Sequence, residues 1–233
     1  MLKLQNLTVI YSDKTKAIDN LNLIINEREN IALIGENGAG KTSLMLSIVG
    51  ILEIAQGTVE VYGLELNKKT LNEIRSRIGL VFQNPDDQLF MPYIYDDIAF
   101  GLRNFGLSED AVKTRVEETL NQLNISHLQN RSSLKLSSGE KRMAAVATVL
   151  AMKPSILIFD EPTSFLDPKA RRSLIKTLNN LHHTKIIATH DMAFAAEVCD
   201  RVIIIKDGGI VKDGNLTLLH DKNIMEACGL EAI

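Results

Sequence analysis

Eight residues near the start of the chain, Gly35-Glu36-Asn37-Gly38-Ala39-Gly40-Lys41-Thr42, have the types and spacing that hold a polyphosphate. They fit G-x-x-x-x-G-K-[ST] and stand between a short apolar run and a helix-like stretch, the setting that this pattern requires. Glycines let the backbone curl so that successive N–H groups face phosphate oxygens without Cβ obstruction. The N-terminus of the following helix adds its dipole. Lys41 supplies a cation for the β and γ oxygens, and the Thr42 hydroxyl is a hard oxygen ligand suited to Mg2+. The plain alternative is a glycine-rich turn that matches by chance, and the flanking strand and helix count against it.

A second cluster follows much later. Ile156-Leu157-Ile158-Phe159-Asp160-Glu161 is a buried-type strand ending in two acids. Acids at the C-terminal end of a parallel strand face the crevice where such sheets bind ligands. Asp160 is then placed to hold Mg2+ through water, and Glu161 to polarise the water that attacks a γ-phosphate. An exposed acidic strand end is the ordinary alternative; the pairing with the phosphate loop makes the chemical reading the stronger one. His190 ends the apolar strand Lys185-Ile186-Ile187-Ala188-Thr189 and can donate to a γ-phosphate or to the attacking water. His127, His182, His183 and His220 have no such context, and the His182-His183 pair reads as a solvated loop rather than a metal site.

These groups need a scaffold that brings distant segments together. Leu2–Ile10, a run through Ile18, Leu23 and Ile25, and Ile31–Ile34 read as strands, the last apolar enough to be covered on both faces. A helix is expected from Lys41 to Leu52, with strands at Gly57–Tyr62 and Ile78–Phe82. From Ile94 to Arg131 the pattern turns helical: Val112, Val116, Leu120 and Leu123 share one face, and Ser108 is a candidate N-cap. Another helix is expected from about Lys141 to Met152. Strands at Ile156–Phe159, Lys185–Ala188 and Val202–Ile205 then alternate with helices, which implies a parallel sheet. A helical subdomain, residues 84–142, is therefore expected inside an α/β core formed by 1–83 and 143–233.

Composition narrows the function classes. At 233 residues, 45% hydrophobic and 24% charged, the chain can bury a sizeable core and is neither disordered nor fibrous. A formal net charge of −3 gives no global attraction to nucleic acid or anionic lipid. The longest apolar stretches fall short of the ~18 residues that a spanning helix needs. Cys199 and Cys228 read as buried small hydrophobes in a reducing compartment, and the N-terminus has no apolar signal core.

Taken in order, these motifs resemble those of the ATP-binding-cassette (ABC) ATPases over nearly the whole chain. The most diagnostic piece is Leu136-Ser137-Ser138-Gly139-Glu140, which looks like the family's LSGGQ signature. The resemblance implies a P-loop NTPase core of ABC type, α/β, with an N-terminal antiparallel β element and an inserted α-helical subdomain. It implies ATP and Mg2+ as ligands. Contacts to ATP would come from Tyr11, Gly35, Glu36, Asn37, Gly38, Ala39, Gly40, Lys41, Thr42, Ser43 and Gln83, with Tyr11 stacking on adenine. Thr42, Gln83 and Asp160 would serve Mg2+, and Glu161, His190 and Lys41 catalysis. Ser137, Ser138, Gly139 and Glu140 would close on the nucleotide of a second subunit, so each site is shared across a head-to-tail dimer. Ser164-Phe165-Leu166-Asp167 resembles the loop that communicates between the two sites. Three positions depart from the family's pattern: Ser138 for glycine, Glu140 for glutamine, and the bulky Phe165 for a small residue.

A narrower resemblance lies in Gly79–Phe90 and Asp96–Gly101, which are similar to the cassettes of energy-coupling-factor importers of vitamins or transition-metal ions. Thr184–Asp191 and Cys199–Val202 look most like the cobalt and nickel branch. The resemblance implies an ATPase on the cytoplasmic face of a membrane, working as a homodimer or pseudo-symmetric heterodimer with integral-membrane partners, with no span of its own and no nucleic acid. A vitamin-importing cassette, another ABC importer, or a soluble ABC ATPase acting on DNA or ribosomes are the other readings. The acidic balance and the lack of a coiled-coil insertion or zinc module count against the last.

Overall fold

The computed structural model describes residues 1–232. The chain opens with β1 (Leu2–Ile10) and β2 (Lys16–Ile25), whose leucines, with Ile18 and Ile25, turn inward while Ile10 and Ile24 stay exposed. β3 (Asn30–Ile34), nearly continuous in apolar residues, leads through the glycine-rich turn into α1 (Lys41–Ile48). β4 (Gln56–Val61), β5 (Leu64–Glu65), α2 (Leu71–Arg77) and β6 (Ile78–Val81) follow. Three helices come next: α3 (Ile94–Asn104), α4 (Glu109–Gln122) and α5 (Ser138–Leu150). The rest alternates as β7 (Ile156–Asp160), α6 (Pro168–Asn180), β8 (Thr184–Ala188), α7 (Met192–Val198), β9 (Arg201–Lys206), β10 (Gly209–Asn215) and α8 (Lys222–Ala227).

The strands form two sheets. One is antiparallel, in the order β2-β1-β4-β5; the other is six-stranded, in the order β10-β9-β3-β8-β7-β6. The expected parallel sheet covers β9 through β6, and β10 adds an antiparallel edge that pairs with β9. Two cores share the central strands. Ile31, Leu33, Ile156, Ile158, Ile203 and Ile205 face α1 and the antiparallel sheet. Their neighbours Ala32, Ile34, Leu157, Phe159, Val202 and Ile204 face the helical side, with α3–α7. Strands covered on both faces must be apolar at every position, which is why no polar alternation marks them.

Helix ends differ in detail from expectation, for local reasons. Ser108 caps α4 as read, its hydroxyl accepting from Ala111 N–H. α1 stops at Ile48 rather than Leu52, because Gly50 turns left-handed at φ 66°. α5 begins three residues early, at Ser138, because Ser137 and Glu140 form a reciprocal capping box. The expected subdomain edge at 142 therefore falls inside α5, which continues to Leu150 and packs on β6.

That packing depends on Gly79 in β6: a Cβ there would overlap the Val149 Cγ1 of α5. Gly79→Ala is expected to lower the unfolding free energy by about 1–3 kcal/mol, the usual cost of overpacking, read as a lower urea midpoint.

Candidate functional site

The parallel register brings the predicted residues to one edge. β3 runs into the phosphate loop, β6 into Gln83, β7 into Asp160 and Glu161, and β8 into His190. Asp160 is paired with Ala188 across β7 and β8, and Glu161 N–H donates to Ala188 O at 2.8 Å. The outcome is a single pocket lined by Tyr11, Asn37, Gly38, Gly40, Lys41, Thr42, Ser43, Gln83, Asp160, Glu161 and His190. Gly35, Glu36 and Ala39 complete the loop without lining it.

Close approach explains the glycines at the loop's ends. A Cβ on Gly35 would overlap the Ile205 carbonyl of β9. Gly40 sits at φ 105°, where a Cβ would come within 2.5 Å of Ala17 O. Gly40 is also the N-cap of α1 and offers no side-chain acceptor, so the first-turn N–H groups of that helix are left for a ligand. Lys41 is buried; its Nζ donates to Gly35 O at 2.6 Å and Glu36 O at 3.0 Å, bridging the loop. Burial pulls the Lys41 ammonium below its ordinary pKa, against the opposing charges of Glu161 and Asp160.

The acids are buried as well. Thr42 Oγ1 donates to Asp160 Oδ2 at 2.9 Å. Burial pushes the Asp160 carboxyl up, partly countered by that hydrogen bond. A hydroxyl and a carboxylate side by side form an all-oxygen donor set of the kind Mg2+ takes, so these residues fit the ion that the resemblance implies. Glu161 holds a left-handed backbone at φ 42°, and its Oε2 accepts from His190 N–H at 3.3 Å and lies 2.8 Å from His190 Nδ1. Strained backbone at a buried acid in a cleft is a common mark of a functional site. Tyr11 reaches the loop from the antiparallel sheet, its hydroxyl 2.6 Å from Ser43 Oγ.

The four signature-like residues lie elsewhere. Ser137, Gly139 and Glu140 border a separate hollow together with Asp167 and Ala170 of the α6 N-terminus. Glu140 Oε2 accepts from both the N–H and the hydroxyl of Ser137, at 2.8 Å each, so this departure from glutamine is compatible with the cap. Phe165, at φ 65°, is 80% exposed on the loop before α6. His182 is exposed, but His183 is half-buried beside Lys185, so the pair is not wholly solvated.

Comparison with known proteins agrees with this geometry. Residues 18–164 match the family model described as ABC transporter. The chain belongs to that family. It is 39% identical to the energy-coupling factor transporter ATP-binding protein EcfA of Carboxydothermus hydrogenoformans, over 99% of this chain and 87% of that protein. Its structure resembles cbiO1 of Clostridium perfringens, described as part of the ABC transporter complex cbiONQ. The TM-score is 0.86 at 36% identity, covering 97% of this chain and 93% of that one. It also resembles the dimeric ATP-binding cassette MJ0796 in a post-hydrolysis state bound to ADP and Pi. There the TM-score is 0.82 at 27% identity, covering 93% and 99%. The chain is thus an ABC ATPase, the ATP-binding subunit of a transporter.

One neighbour of the site has no role of its own in the sequence pattern. Asp191 caps α7, accepting from Phe194 N–H at 2.8 Å, and binds Arg171 Nε at 2.9 Å, so it anchors the turn that carries His190. An aspartate just before a helical run is the signal that could have found the cap; its arginine, on α6, left none. Burial raises the Asp191 carboxyl, but the hydrogen bonds from Arg171 and Phe194 N–H outweigh it and hold it below the ordinary value. A carboxyl lowered on folding stabilises the fold above its unfolded pKa of about 3.9 and stops doing so as pH falls through the folded value. Asp191→Ala is expected to cost about 1–2 kcal/mol at pH 7, as for other lost caps. The gap to the unsubstituted protein should narrow below about pH 4. Urea unfolding at the two pH values checks it.

Proposed function

We propose that this chain is the ATP-hydrolysing subunit of an importer of the energy-coupling-factor type, powering uptake of a transition-metal ion, cobalt or nickel. The observation that carries the ATPase part is the single pocket in which the phosphate loop, Gln83, Asp160, Glu161 and His190 meet. Lys41 and the α1 N-terminus bind the phosphates; Tyr11 meets the adenine. Mg2+, held by Thr42 and Asp160 with Gln83 beside it, would neutralise charge on the β- and γ-phosphate oxygens. Glu161 takes a proton from the attacking water, and His190 orients it.

The signature hollow lies apart from this pocket, which supports the shared-site arrangement: Ser137, Ser138, Gly139 and Glu140 of one subunit complete the nucleotide site of the other. ATP then drives closure of the dimer, provided it binds the closed form better than the open one. No helix among the described residues is long and apolar enough to cross a membrane. In this reading the chain works through integral-membrane partners at the cytoplasmic face. An exposed aromatic patch supports such docking: Phe90 and Phe100 stack edge to face at 5.1 Å, and Tyr93 and Phe105 are exposed at the two ends of α3. The metal-ion cargo rests on the likeness of Thr184–Asp191 and Cys199–Val202 to the cobalt and nickel branch; the resemblance to cbiO1, part of an ABC transporter complex, supports the transporter reading alone.

Glu161→Gln is expected to keep ATP binding, slow hydrolysis by about 10²–10⁴-fold and accumulate a closed dimer, seen by phosphate release and size-exclusion chromatography with ATP. Turnover near the unsubstituted rate would remove Glu161 from its role. Affinity purification from native membranes in mild detergent, with mass spectrometry, should recover a helical scaffold protein and a multi-span substrate-binding protein. Recovery of soluble DNA- or ribosome-associated proteins alone would overturn the importer reading and leave the ATPase standing.

A further inference from the structure

Arg142 is buried where a charge is costly. It lies on α5, two residues after Glu140, is 1% exposed, and is the largest fully buried side chain. No carboxylate lies within ion-pairing distance of it among the described residues, and its Nε has no hydrogen-bond partner among them. Burial lowers its pKa to about 10, with Asp160 attracting it from farther off. An apolar side chain of similar length would fill the space at lower cost. What the guanidinium does instead is grip two successive carbonyls. Nη1 donates to Phe82 O at 2.7 Å and Nη2 to Gln83 O at 2.6 Å. A planar fork of this kind fixes the peptide on both sides of the Gln83 Cα, which a single ammonium could not do.

Gln88 adds a second tie between the same two segments. Its Oε1 accepts from Phe82 N–H at 3.2 Å, while its Nε2 donates to Ala145 O at 2.8 Å and Thr148 Oγ1 at 2.7 Å. Gln88 thus closes the 82–88 loop on itself and pins it to α5. Lys141, also on α5, bonds Asp86 of this loop at 2.7 Å, at a more exposed point.

We propose that Arg142 and Gln88 strap the Gln83 loop to α5, so that the place of Gln83 in the nucleotide pocket is set by the helix that carries Ser137–Glu140. Both are positioning residues for ATP hydrolysis, acting through the backbone of Phe82 and Gln83. A displacement of α5 is passed to Gln83 without stretching a flexible loop, because every tie between them is a short hydrogen bond. The inference rests on the reading of Gln83 as a nucleotide-site group.

The test uses the purified full chain with Arg142→Met, Gln88→Met and Gln83→Ala, alone and combined. Arg142→Met is expected to lower kcat about 10- to 100-fold, the usual cost of losing a supporting partner. KM for ATP should change little, and the melting temperature should not fall. Amide exchange should quicken across 82–88 and stay unchanged in β7 and β8. In the Gln83→Ala background, Arg142→Met should have no further effect on kcat, since it acts through Gln83. Gln88→Met should behave alike, and it decides the matter if Arg142→Met does not fold. The strap is overturned if Gln83→Ala impairs turnover but Arg142→Met and Gln88→Met do not, or if their effects multiply with that of Gln83→Ala. If Gln83→Ala leaves kcat intact, the reading of Gln83 fails, and any loss in Arg142→Met then belongs to another route and equally overturns the strap.

Discussion

Parallel pairing of β3, β6, β7 and β8 is the constraint on which the rest of this molecule depends. Parallel strands all point their carboxyl ends at the same edge, so whatever follows each strand is delivered to one crevice. Here that brings the phosphate loop, Gln83, the Asp160-Glu161 pair and His190 within reach of one another, although they are scattered over most of the chain. The backbone bond from Glu161 to Ala188 fixes the two outermost acids and the histidine in step. A slip of this register would separate Glu161 from His190 before any side chain were altered.

Holding that register imposes electrostatic costs. Lys41, Asp160 and Glu161 are all buried, and Lys41 and Asp160 are pushed toward their neutral forms by burial. Each is answered locally: Lys41 by two loop carbonyls, Asp160 by the Thr42 hydroxyl, and Glu161 by the His190 backbone and ring. A pocket whose charges are pre-arranged in this way needs little reorganisation when a polyphosphate enters.

The two cores divide the labour. The core between the sheets and α1 carries the phosphate loop and Tyr11, and the core on the helical face carries α3–α6 with the signature-like residues. The central strands belong to both, so neither face can shift without the other registering it. On the helical face, α5 meets the sheet through Gly79 and meets the Gln83 loop through Arg142 and Gln88. Packing joins the helix to β6, and hydrogen bonding joins it to the loop that carries Gln83.

Local patterns were legible in the sequence by itself. The glycine spacing around Lys41, the acids closing an apolar strand, the strand-end His190 and the Ser108 cap each depend on a few neighbouring residues, and each stands in the structure where its pattern put it. The family likeness pointed to Tyr11, Gln83 and the signature; the fold puts the first two at the pocket and the signature apart from it. The tertiary structure decided what depends on distance along the chain. Nothing near Arg142 in sequence says that it grips Phe82 and Gln83, because the contact spans some sixty residues and exists only once α5 lies on β6. Arg171 reaches Asp191 only because α6 and α7 pack together, and the aromatic patch becomes a patch only when the loop and α3 fold side by side. α5 starts before its apolar run because the Ser137–Glu140 cap nucleates the helix there. Spacing fixes which groups can act; the register of the sheet and the packing on its helical face fix which of them meet.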